Sequence, residues 1–304
     1  MIIFYKLIFP NAAIMAIPGI ERFLAAFNSA IGSQSLYRSV YTFVFMSSEI
    51  KFVHSANELP QPKSPAYLVC GFPGSGYVGK LAVDHMIQEL QATHLVDIYA
   101  SSFPPQVMIR TDGTADLMKN SIFFWENDAV SLLLLTGDSQ PSNPDSEYAL
   151  SGQILDFAGQ LGAEQVFTLA AYITGVFVDK PRVFGTATDA GIVGTFAGRG
   201  ISVMDSGSIT GMNGLVVGIA KTRGMKGTCL LGETSGYVVD AKASKAVLDA
   251  LLGIIGIKVD MVNLEKRAKD TEMLIQTIEQ QMAGSRGRPA VESQQKPRDT
   301  GYIS

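Results

Sequence analysis

The sequence has few of the residues on which nucleophilic enzymes and metalloproteins most often depend. It contains two cysteines and three histidines among 304 residues. Cys70 and Cys229 lie in apolar, strand-like runs, so we predict two buried thiols rather than a disulfide or a pair of metal ligands. The histidines are too scattered for a metal-site pattern, and we expect no metal. So few cysteines are typical of a reducing compartment, which predicts a cytoplasmic protein.

Charge is also scarce. Only 17% of the residues are charged, and the formal net charge is −4. Such a chain has no global field that would attract DNA or RNA, so we expect no nucleic-acid partner. With 47% apolar residues, a chain of this length is able to bury a sizeable core.

Residues 1–45 differ in composition from the rest of the chain. Their apolar opening contains one lysine, inside the apolar run rather than before it, which argues against a signal sequence. Two prolines and an asparagine interrupt the span of about 20 apolar residues that a membrane helix needs, so we expect no membrane anchor. We favour a third explanation, that this segment is translated upstream sequence and that the protein starts at Met46. Residues 1–45 are therefore interpreted as an extension outside the folded domain.

A glycine-spaced turn lies where a parallel sheet would place its first strand-to-helix corner. The apolar run 66–70 predicts a strand, and the amphipathic run after the turn predicts a helix over 77–91. A strand, a glycine turn and a helix start together expose free backbone N–H groups. The question is whether those groups bind a phosphate or only turn the chain. The glycines concerned are Gly71, Gly74, Gly76 and Gly79.

The segment Gly74-x-Gly76-x-x-Gly79 matches the dinucleotide fingerprint, and Asp97 follows at roughly the expected spacing of about 20 residues. However, Asp97 lies inside an apolar run, whereas a ribose-binding carboxylate should follow its strand. Pro73 also removes one backbone donor from the turn. These two departures argue against dinucleotide binding.

Most of a P-loop is also present from Gly74 to Lys80. The next residue is Leu81, where a P-loop needs a hydroxyl to reach the magnesium ion, so we do not expect nucleotide hydrolysis. The interpretation that we favour is structural: the glycines permit a tight corner and close packing of the helix on the sheet.

Beyond this turn, strand-like and amphipathic runs alternate. This alternation predicts an α/β fold in three layers, with a mixed, largely parallel sheet between helices, over residues 46–256. An Asp112-Gly113 pair predicts a tight turn between two short antiparallel strands. The predicted strands are 66–70, 94–100, 107–111, 114–119, 121–126, 129–136, 165–171, 182–187, 192–196 and 228–231, and the predicted helices are 77–91, 145–161, 212–223 and 242–255.

The C-terminal helix differs in kind from the others. Residues 257–283 are charged, and their apolar side chains recur with the 4-3 spacing of a heptad repeat, at Met261, Leu264, Ala268, Ile275, Ile278 and Met282. About three heptads are near the minimum for a coiled coil, so two interpretations stay open: a coiled coil that joins subunits, or a helix packed along its own domain. Residues 284–304 are polar and are predicted to be disordered.

Polar residues follow several predicted strands, where α/β proteins bind ligands. Asp138 could serve as a general base, a metal ligand or an N-terminal cap for the next turn, and Glu233 lies in a later loop of the same kind. These loops could line one cleft with the glycine turn. No histidine lies in them, and no serine stands in a G-x-S-x-G elbow. We therefore expect no catalytic residue and no cofactor.

From Tyr67 to Met282 the sequence resembles the PAC2 family of proteasome assembly chaperones, in its archaeal form. The segments that carry the resemblance are, in chain order, GFPGSGYVG, TGDSQP, YITG, GSITGMNGL and LLGETSGY. Each segment alone is unspecific, and the order of the five over most of the chain is what makes the resemblance specific.

The resemblance implies a fold like that of nucleoside phosphorylases and related hydrolases, without known catalysis. It also implies a non-enzymatic homo-oligomer that assists or activates the 20S proteasome without ATP, by contacting its α-subunit ring. Family members that engage the ring often end in a hydrophobic–tyrosine–any-residue motif, whose terminal carboxylate pairs with a lysine between α-subunits. This chain ends Tyr302-Ile303-Ser304. Its tyrosine is one residue further from the end, which moves the carboxylate by about 3.3–3.6 Å, and the three residues are our candidates for docking.

A second hypothesis stays open beside the chaperone. The Gly74–Gly79 turn and Asp138 could form the binding site of an enzyme or small-ligand binder. A nucleoside or phosphate would then be the natural ligand, a suggestion that rests on analogy with the fold alone.

Overall fold

The computed structural model describes residues 50–55, 59–270 and 272–273. Contacts divide the chain into two units, Met1–Glu49 and Ile50–Ser304, and all described residues belong to the second. The predicted extension 1–45 and the predicted tail 284–304 lie outside the described residues.

The strands form one large sheet and one small hairpin. The large sheet has the order β1-β3-β6-β7-β2-β8-β11-β9-β10, and β4 pairs with β5 alone. The strands are β1 (Ile50–His54), β2 (Ala66–Gly71), β3 (Thr93–Ala100), β4 (Val107–Ile109), β5 (Ala115–Leu117), β6 (Asn120–Glu126), β7 (Ser131–Gly137), β8 (Ala163–Ile173), β9 (Val183–Ala187), β10 (Ile201–Val203) and β11 (Lys226–Thr234).

The centre of the large sheet is parallel and its flanks are largely antiparallel. Strands β7, β2, β8 and β11 are neighbours and all run in the same direction. On one flank β6, β3 and β1 continue the sheet as an antiparallel meander. On the other flank β9 is antiparallel to β11, and β10 is parallel to β9. The prediction of a mixed sheet is confirmed, and parallel pairing is confined to the four central strands and the β9–β10 pair.

Helices connect the central strands as parallel pairing requires, since parallel neighbours need a crossover. Two of the longer helices begin at capping side chains: Asn143 accepts the N–H of Ser146, and Asp240 accepts the N–H of Ala243, both at 2.9 Å. The helices are α1 (Val78–Glu89), α2 (Pro144–Gln160), α3 (Ala190–Gly194), α4 (Met212–Thr222), α5 (Ala241–Ile255) and α6, described over residues 262–270.

The central strands are buried on both faces, and their side chains divide between two cores. In β7, Leu133 and Leu135 pack with α2 and α4, whereas Leu132 and Leu134 pack with α1 and α5. The run of seven buried residues in β7 therefore contacts two helical layers at once, as is typical of a parallel strand in an α/β protein. The predicted three-layer architecture is confirmed.

Most of the predicted elements are found at nearly the predicted positions, but the strand predicted over 192–196 is wrong. Ala190–Gly194 is a short helix, because Asp189 caps it. Its carboxylate accepts the N–H groups of Gly191 and Ile192 at 2.7 and 3.2 Å. This local cap outweighs the strand preference of Ile192 and Val193. The edge strand is Ile201–Val203 instead.

The β4–β5 hairpin is separate from the large sheet and exposes an apolar face. Val107 pairs with Leu117, and Ile109 pairs with Ala115, so all four side chains share one face. Ile109 is 68% exposed and Leu117 64% exposed. A two-stranded hairpin is only marginally stable alone in water, so an exposed apolar face on one is unusual. Contiguous exposed apolar faces are typical of interaction surfaces.

The described part of the heptad-patterned helix packs along its own domain. Leu264 is fully buried in the same core as α1 and α5, and Met261 packs against that core. Asn263 donates to the carboxylate of Glu89 at 2.8 Å, which ties α6 to α1. Leu264 is therefore occupied within its own domain, whereas Ile275 and Ile278 lie outside the described residues.

Candidate functional site

Two glycines of the turn let α1 lie directly on the sheet. A Cβ built on Gly79 would overlap the carbonyl oxygen of Leu169 in β8, and one built on Gly71 would overlap the carbonyl oxygen of Gly79. Both glycines are thus required by backbone packing, at the point where the helix starts across the strands. Neither needs a bound phosphate to explain it.

The other two glycines differ from each other. Gly76 has φ +63°, and its carbonyl accepts the N–H of Asp240 at 2.8 Å. The carboxylate of Asp240 also accepts the hydroxyl of Thr234 at 2.6 Å, so the turn is tied to the start of α5. Gly74 is extended, and no described atom lies within 4 Å of a Cβ built on it. Gly74 is thus the open position of the turn.

The lysine that completes the P-loop-like spacing is engaged within the domain. Lys80 Nζ lies 3.1 Å from Asp84 Oδ2 and donates to Thr136 Oγ1 at 3.3 Å. The Thr136 hydroxyl donates in turn to Asp84. This network holds α1 to the end of β7, whereas a P-loop lysine reaches for a nucleotide phosphate. It agrees with the sequence-based rejection of nucleotide hydrolysis.

Asp97 lies in the middle of β3 and bonds its neighbours. Its Oδ1 accepts from Ser121 at 2.6 Å and contacts the His94 ring nitrogen Nε2 at 2.8 Å, and its Oδ2 accepts from Lys119 Nζ at 2.6 Å. Burial raises the pKa of Asp97, but these hydrogen bonds outweigh burial and hold it below its ordinary value. Two strands separate β3 from β2, so Asp97 does not meet the glycine turn. Dinucleotide binding is disfavoured by this arrangement.

The side chains of Ser55, His94 and Asp97 form a hydrogen-bonded row. The sequence did not indicate this row, because Ser55 lies 39 residues before His94. The Ser55 hydroxyl contacts His94 Nδ1 at 2.7 Å. Acyl transfer by such a row also needs an oxyanion site and a substrate cleft. The row lines neither of the two cavities that border the glycine turn, and Lys119 neutralises Asp97. We interpret it as a polar tie between β1, β3 and β6.

Asp138 holds the end of β7 to the chain beside it. Its N–H donates to the Lys119 carbonyl at 2.8 Å, and its carboxylate accepts the Lys119 N–H at 3.2 Å. The helix that follows is capped by Asn143. Asp138 and Gly74 both line a cavity of about 500 Å³, so these two predicted site residues do share a cleft.

Glu233 lies apart from that cleft and is paired. Its buried carboxylate accepts from Arg182 at three points, the backbone N–H (3.2 Å), Nε (3.0 Å) and Nη2 (2.8 Å). These bonds hold the pKa of Glu233 below its ordinary value. Arg182 lies over the Phe184 ring at 5.0 Å. A carboxylate held by a bidentate arginine is poorly suited to act as a base, so Glu233 joins β11 to β9 structurally.

A larger cavity of about 750 Å³ opens at the carboxyl ends of β2, β8 and β11. Gly74 and Gly79 line it, as do residues 206–211 and the end of β8 at Tyr172 and Ile173. Several loops therefore meet at this edge of the sheet. Asp138 and Glu233 do not share this position, since neither of them lines the larger cavity.

Gln140 and Asn213 were not singled out from the sequence. The Gln140 side chain donates to the Pro73 carbonyl and accepts the Met212 N–H, both at 2.8 Å, so it lies between the glycine turn and the start of α4. Asn213 is buried in the wall of the larger cavity. The signal available beforehand was weak: both residues stand in the PAC2-like segments TGDSQP and GSITGMNGL.

Both cysteines are buried, as predicted, and they are poor nucleophiles. Burial raises the pKa of the Cys229 thiol to about 12 and that of Cys70 further still. Within the described residues, no cluster of three His, Cys, Asp or Glu side chains has metal-site geometry. The helices in the same part of the chain are all too short or too polar to cross a bilayer.

Comparisons with known proteins place this chain among several relatives. The model of the PAC2 family matches residues 68–279. An uncharacterised protein of Methanocaldococcus jannaschii, MJ1210, is 32% identical over 237 residues, which cover 76% of this chain and 92% of that protein.

Two crystal structures from Pyrococcus furiosus are also similar. One is PbaB, an archaeal proteasome activator, with 36% identity, a TM-score of 0.70 and coverage of 76% of this chain and 99% of that one. The other is PbaA, an archaeal homologue of proteasome-assembly chaperone, with 25% identity, a TM-score of 0.62 and coverage of 78% and 94%. The family match and the shared fold lead to one conclusion: the chain belongs to the PAC2 family.

Proposed function

We propose that this protein is a non-enzymatic, ATP-independent assembly chaperone or activator of the proteasome, which binds the α-subunits of the 20S particle as a homo-oligomer in the cytoplasm. The observation that carries the proposal is the similarity to PbaB, which spans nearly the whole of that proteasome activator. The chain is also similar to PbaA, an archaeal homologue of proteasome-assembly chaperone. The proposal therefore includes two roles, that of an activator and that of an assembly chaperone.

The chemistry of the polar groups supports a role without catalysis. The carboxylates of Asp97, Asp138, Glu233 and Asp240 each accept hydrogen bonds from neighbouring side chains or backbone N–H groups of their own domain. A general base needs a carboxylate that is within reach of a substrate proton. These four groups instead hold strands and turns together.

The exposed apolar side chains support a protein partner. In addition to the side chains of the β4–β5 face, Ile173 and Tyr237 are exposed at the carboxyl end of the central strands, at 59% and 75%. A contiguous apolar face such as that of the β4–β5 hairpin is typical of a surface that contacts another protein.

The residues proposed to bind the α-ring and those proposed to join subunits are both assigned from the sequence. Tyr302, Ile303 and Ser304 would dock on the α-ring, and Ile275 and Ile278 would join subunits of the homo-oligomer. Several copies of a weakly binding tail on one oligomer would raise the overall affinity through effective concentration.

The test is binding to purified archaeal 20S particles. Full-length protein is compared with a form that lacks residues 300–304 and with a form in which those residues are scrambled, which keeps the length and charge of the tail. We expect the full-length protein to bind and both altered forms to bind at least about tenfold more weakly, a loss of about 1.4 kcal/mol.

The outcomes separate the parts of the proposal. Equal binding by all three forms would remove the tail from the mechanism. No binding by any form, together with no co-elution with isolated α-subunits by light scattering, would overturn the proposal itself. Hydrolysis of a fluorogenic peptide by mature 20S particles distinguishes an activator, which raises the rate, from an assembly chaperone, which does not.

A further inference from the structure

Two loops at the carboxyl ends of β8 and β11 form a continuous apolar patch. Ile173 and Tyr237 are mostly exposed, and the Tyr237 ring makes a T-shaped contact with Phe177, with 6.4 Å between the ring centroids. A Cβ built on Gly236 would lie 3.1 Å from the Ile173 side chain, so the aliphatic and aromatic groups adjoin each other. Val176, also exposed, extends the patch along the first loop. We call Ile173, Val176, Phe177 and Tyr237 the edge patch.

Contacts within the domain hold the two loops of the edge patch together. The Thr174 N–H donates to the Thr234 carbonyl at 2.9 Å, which ties the first loop to the end of β11. The Tyr237 N–H donates to Ser235 Oγ at 3.3 Å. An apolar surface that is already ordered loses little conformational freedom when a partner binds, and contiguous exposed apolar surface is typical of an interaction site.

The C-terminal segment leaves the described structure beside the edge patch. Lys242 Nζ lies 3.8 Å from Asp179 Oδ1, in the first loop, and 3.5 Å from Glu272 Oε1, at the described end of the chain. A helix that runs on to residue 283, as the sequence predicts, adds about 15 Å beyond this point. A flexible chain of about 20 residues, such as the predicted tail 284–304, has a root-mean-square length of about 25 Å. The end of the tail is therefore within reach of the edge patch.

The tip of the tail has the side chains that suit this surface. From Glu292 to Gly301 the sequence has no aromatic residue and no Leu, Ile, Val or Met, and Tyr302 and Ile303 follow directly. An aromatic ring and an aliphatic side chain pack well against a surface of the same composition, since aromatic pairs add to the effect of apolar burial. The polar residues before the tip leave it as the part of the tail that gains from such a contact.

Mass action selects the tail as the occupant of the edge patch. A tethered tip has an effective concentration on the order of 1 mM at the surface beside its root, so a contact with a Kd on the order of 1 mM is enough for substantial occupancy. A second copy of the chain at about 1 μM would need an affinity about 10³-fold higher to occupy the patch to the same extent.

We propose that Tyr302 and Ile303 bind the edge patch of their own chain. In this closed form the tip is withheld from any other partner, and a partner that binds the tail must first release it from the patch. The apparent affinity of that partner is then reduced by the fraction of tails that are closed. The proposal does not rest on the proposed action on the proteasome, since it concerns a contact within one chain.

The first test uses a labelled synthetic peptide of residues 292–304 and no proteasome. It should bind saturably, with a Kd on the order of 0.1–1 mM, to the form that lacks residues 300–304, in which the patch is open. Full-length protein should bind the same peptide several-fold more weakly, because its own tail competes for the patch. A peptide with Tyr302 and Ile303 replaced by serine is the control and should bind at least about tenfold more weakly.

Variants of the edge patch show where the peptide binds. Tyr237→Ser and Ile173→Ser, each made in the form that lacks residues 300–304, should weaken peptide binding at least about tenfold. Ile109→Ser is the matched control, because Ile109 is similarly exposed but lies on the β4–β5 face, and it should leave peptide binding unchanged. All three side chains are mostly in water, so thermal unfolding should show folded proteins of similar Tm. Should Tyr237→Ser not fold, Ile173→Ser carries the test alone.

The other possible occupants of the patch predict different results for Tyr237→Ser in the full-length protein. We expect this variant to free the tail, so that binding to 20S particles, an arm that rests on the proposed function, becomes several-fold tighter. Weaker binding would make the patch a contact for the 20S particle. A change in subunit number by light scattering would assign the patch to a second copy. Either result overturns the proposal.

The peptide assay overturns the proposal by itself if the peptide does not bind the truncated form, if truncated and full-length protein bind it equally, or if both patch variants bind it as tightly as their parent. Failure of wild-type protein to bind 20S particles would contradict the proposed function and leave the peptide assay unaffected, so the two failures are distinguishable.

Discussion

At the scale of single residues, the four glycines of the turn have different surroundings, so they are not present for one common reason. Gly79 touches the Leu169 backbone, whereas Gly74 faces open space. We expect Gly79→Ala to destabilise the domain by about 3 kcal/mol, because the added methyl must push a helix away from a strand. The gain of about 0.5–1 kcal/mol from alanine in a helix does not offset this. Denaturant unfolding measures the net change in the free energy of unfolding, which includes both the loss from the added methyl and the gain from alanine in a helix.

Gly74→Ala is the matched control for that measurement. Its backbone is extended and its surroundings are open, so the free energy of unfolding should change by less than about 0.5 kcal/mol. Equal destabilisation by the two substitutions would contradict the assignment of separate causes, and would mean that the turn acts as one unit.

A second residue-scale prediction concerns the Arg182–Glu233 pair. Hydrogen bonds from Arg182 hold the pKa of Glu233 below its ordinary value of 4.5. A lowered folded-state pKa stabilises the fold above the unfolded-state pKa, and this stabilisation is lost as the pH falls through the folded-state value. Arg182→Ala should therefore be destabilising at pH 7, and the difference from wild type should shrink below pH about 4.5. Urea unfolding across this pH range measures it.

Glu233→Gln is the control for the pH dependence. The amide keeps the shape of the side chain but has no charge, so its effect on stability should lose the pH dependence that Glu233 contributes. If the difference between Arg182→Ala and wild type stays constant from pH 7 to pH 3, the ionised pair does not contribute to the stability of the fold.

At the scale of elements, the sequence predicted what depends on local pattern. The strand predicted over 129–136 is found as β7, Ser131–Gly137, and the Asp112-Gly113 pair correctly marked the turn between β4 and β5. The strand predicted over 192–196 was wrong because of a single local cap. The Asp189 side chain caps the helix α3, although this segment contains the β-branched residues Ile192 and Val193. The position of β9 between β11 and β10 was not predicted, because no local pattern specifies which strands become neighbours.

The site was predictable only in part, for the same reason. The loops that follow the central strands were identified, since parallel strands bring their carboxyl ends to one edge. The contact that explains Gly79 comes from Leu169, about 90 residues away, and the partners of Asp138 and Gln140 also come from distant segments. Whether a glycine binds a ligand or a strand is decided by such contacts, and they are absent from any local window.

The C-terminal helix gives the element-scale prediction. Leu264 is fully buried against α1 and α5, so Leu264→Ala should lower the free energy of unfolding by about 3 kcal/mol. Because the lost contacts lie within one chain, this loss should not depend on protein concentration. Val262→Ala is the control on the same helix, since Val262 is 66% exposed, and should change stability by less than about 0.5 kcal/mol. A loss that disappears at high protein concentration would place Leu264 between subunits instead.

At the scale of the whole molecule, the polar loops and the surface have separate roles. The cavity, the glycine turn and Gln140 all lie at one edge of the sheet, where the loops are fixed by contacts within the domain. The β4–β5 face and the C-terminal residues carry the apolar groups that suit a protein partner.

The proposed homo-oligomer gives the last prediction, which concerns the number of tails that bind at once. Replacing Ile275 and Ile278 with lysine should disrupt a heptad seam and yield a monomer with an intact tail. Loss of multivalency should then weaken binding to immobilised 20S particles by about 10²-fold or more, although each tail is unchanged. Gln276→Lys with Thr277→Lys is the control, since it adds the same charge at positions outside the heptad stripe. A double Ile variant that stays oligomeric in light scattering would remove these residues from the interface, and one that is monomeric yet binds as tightly as wild type would show that a single tail suffices.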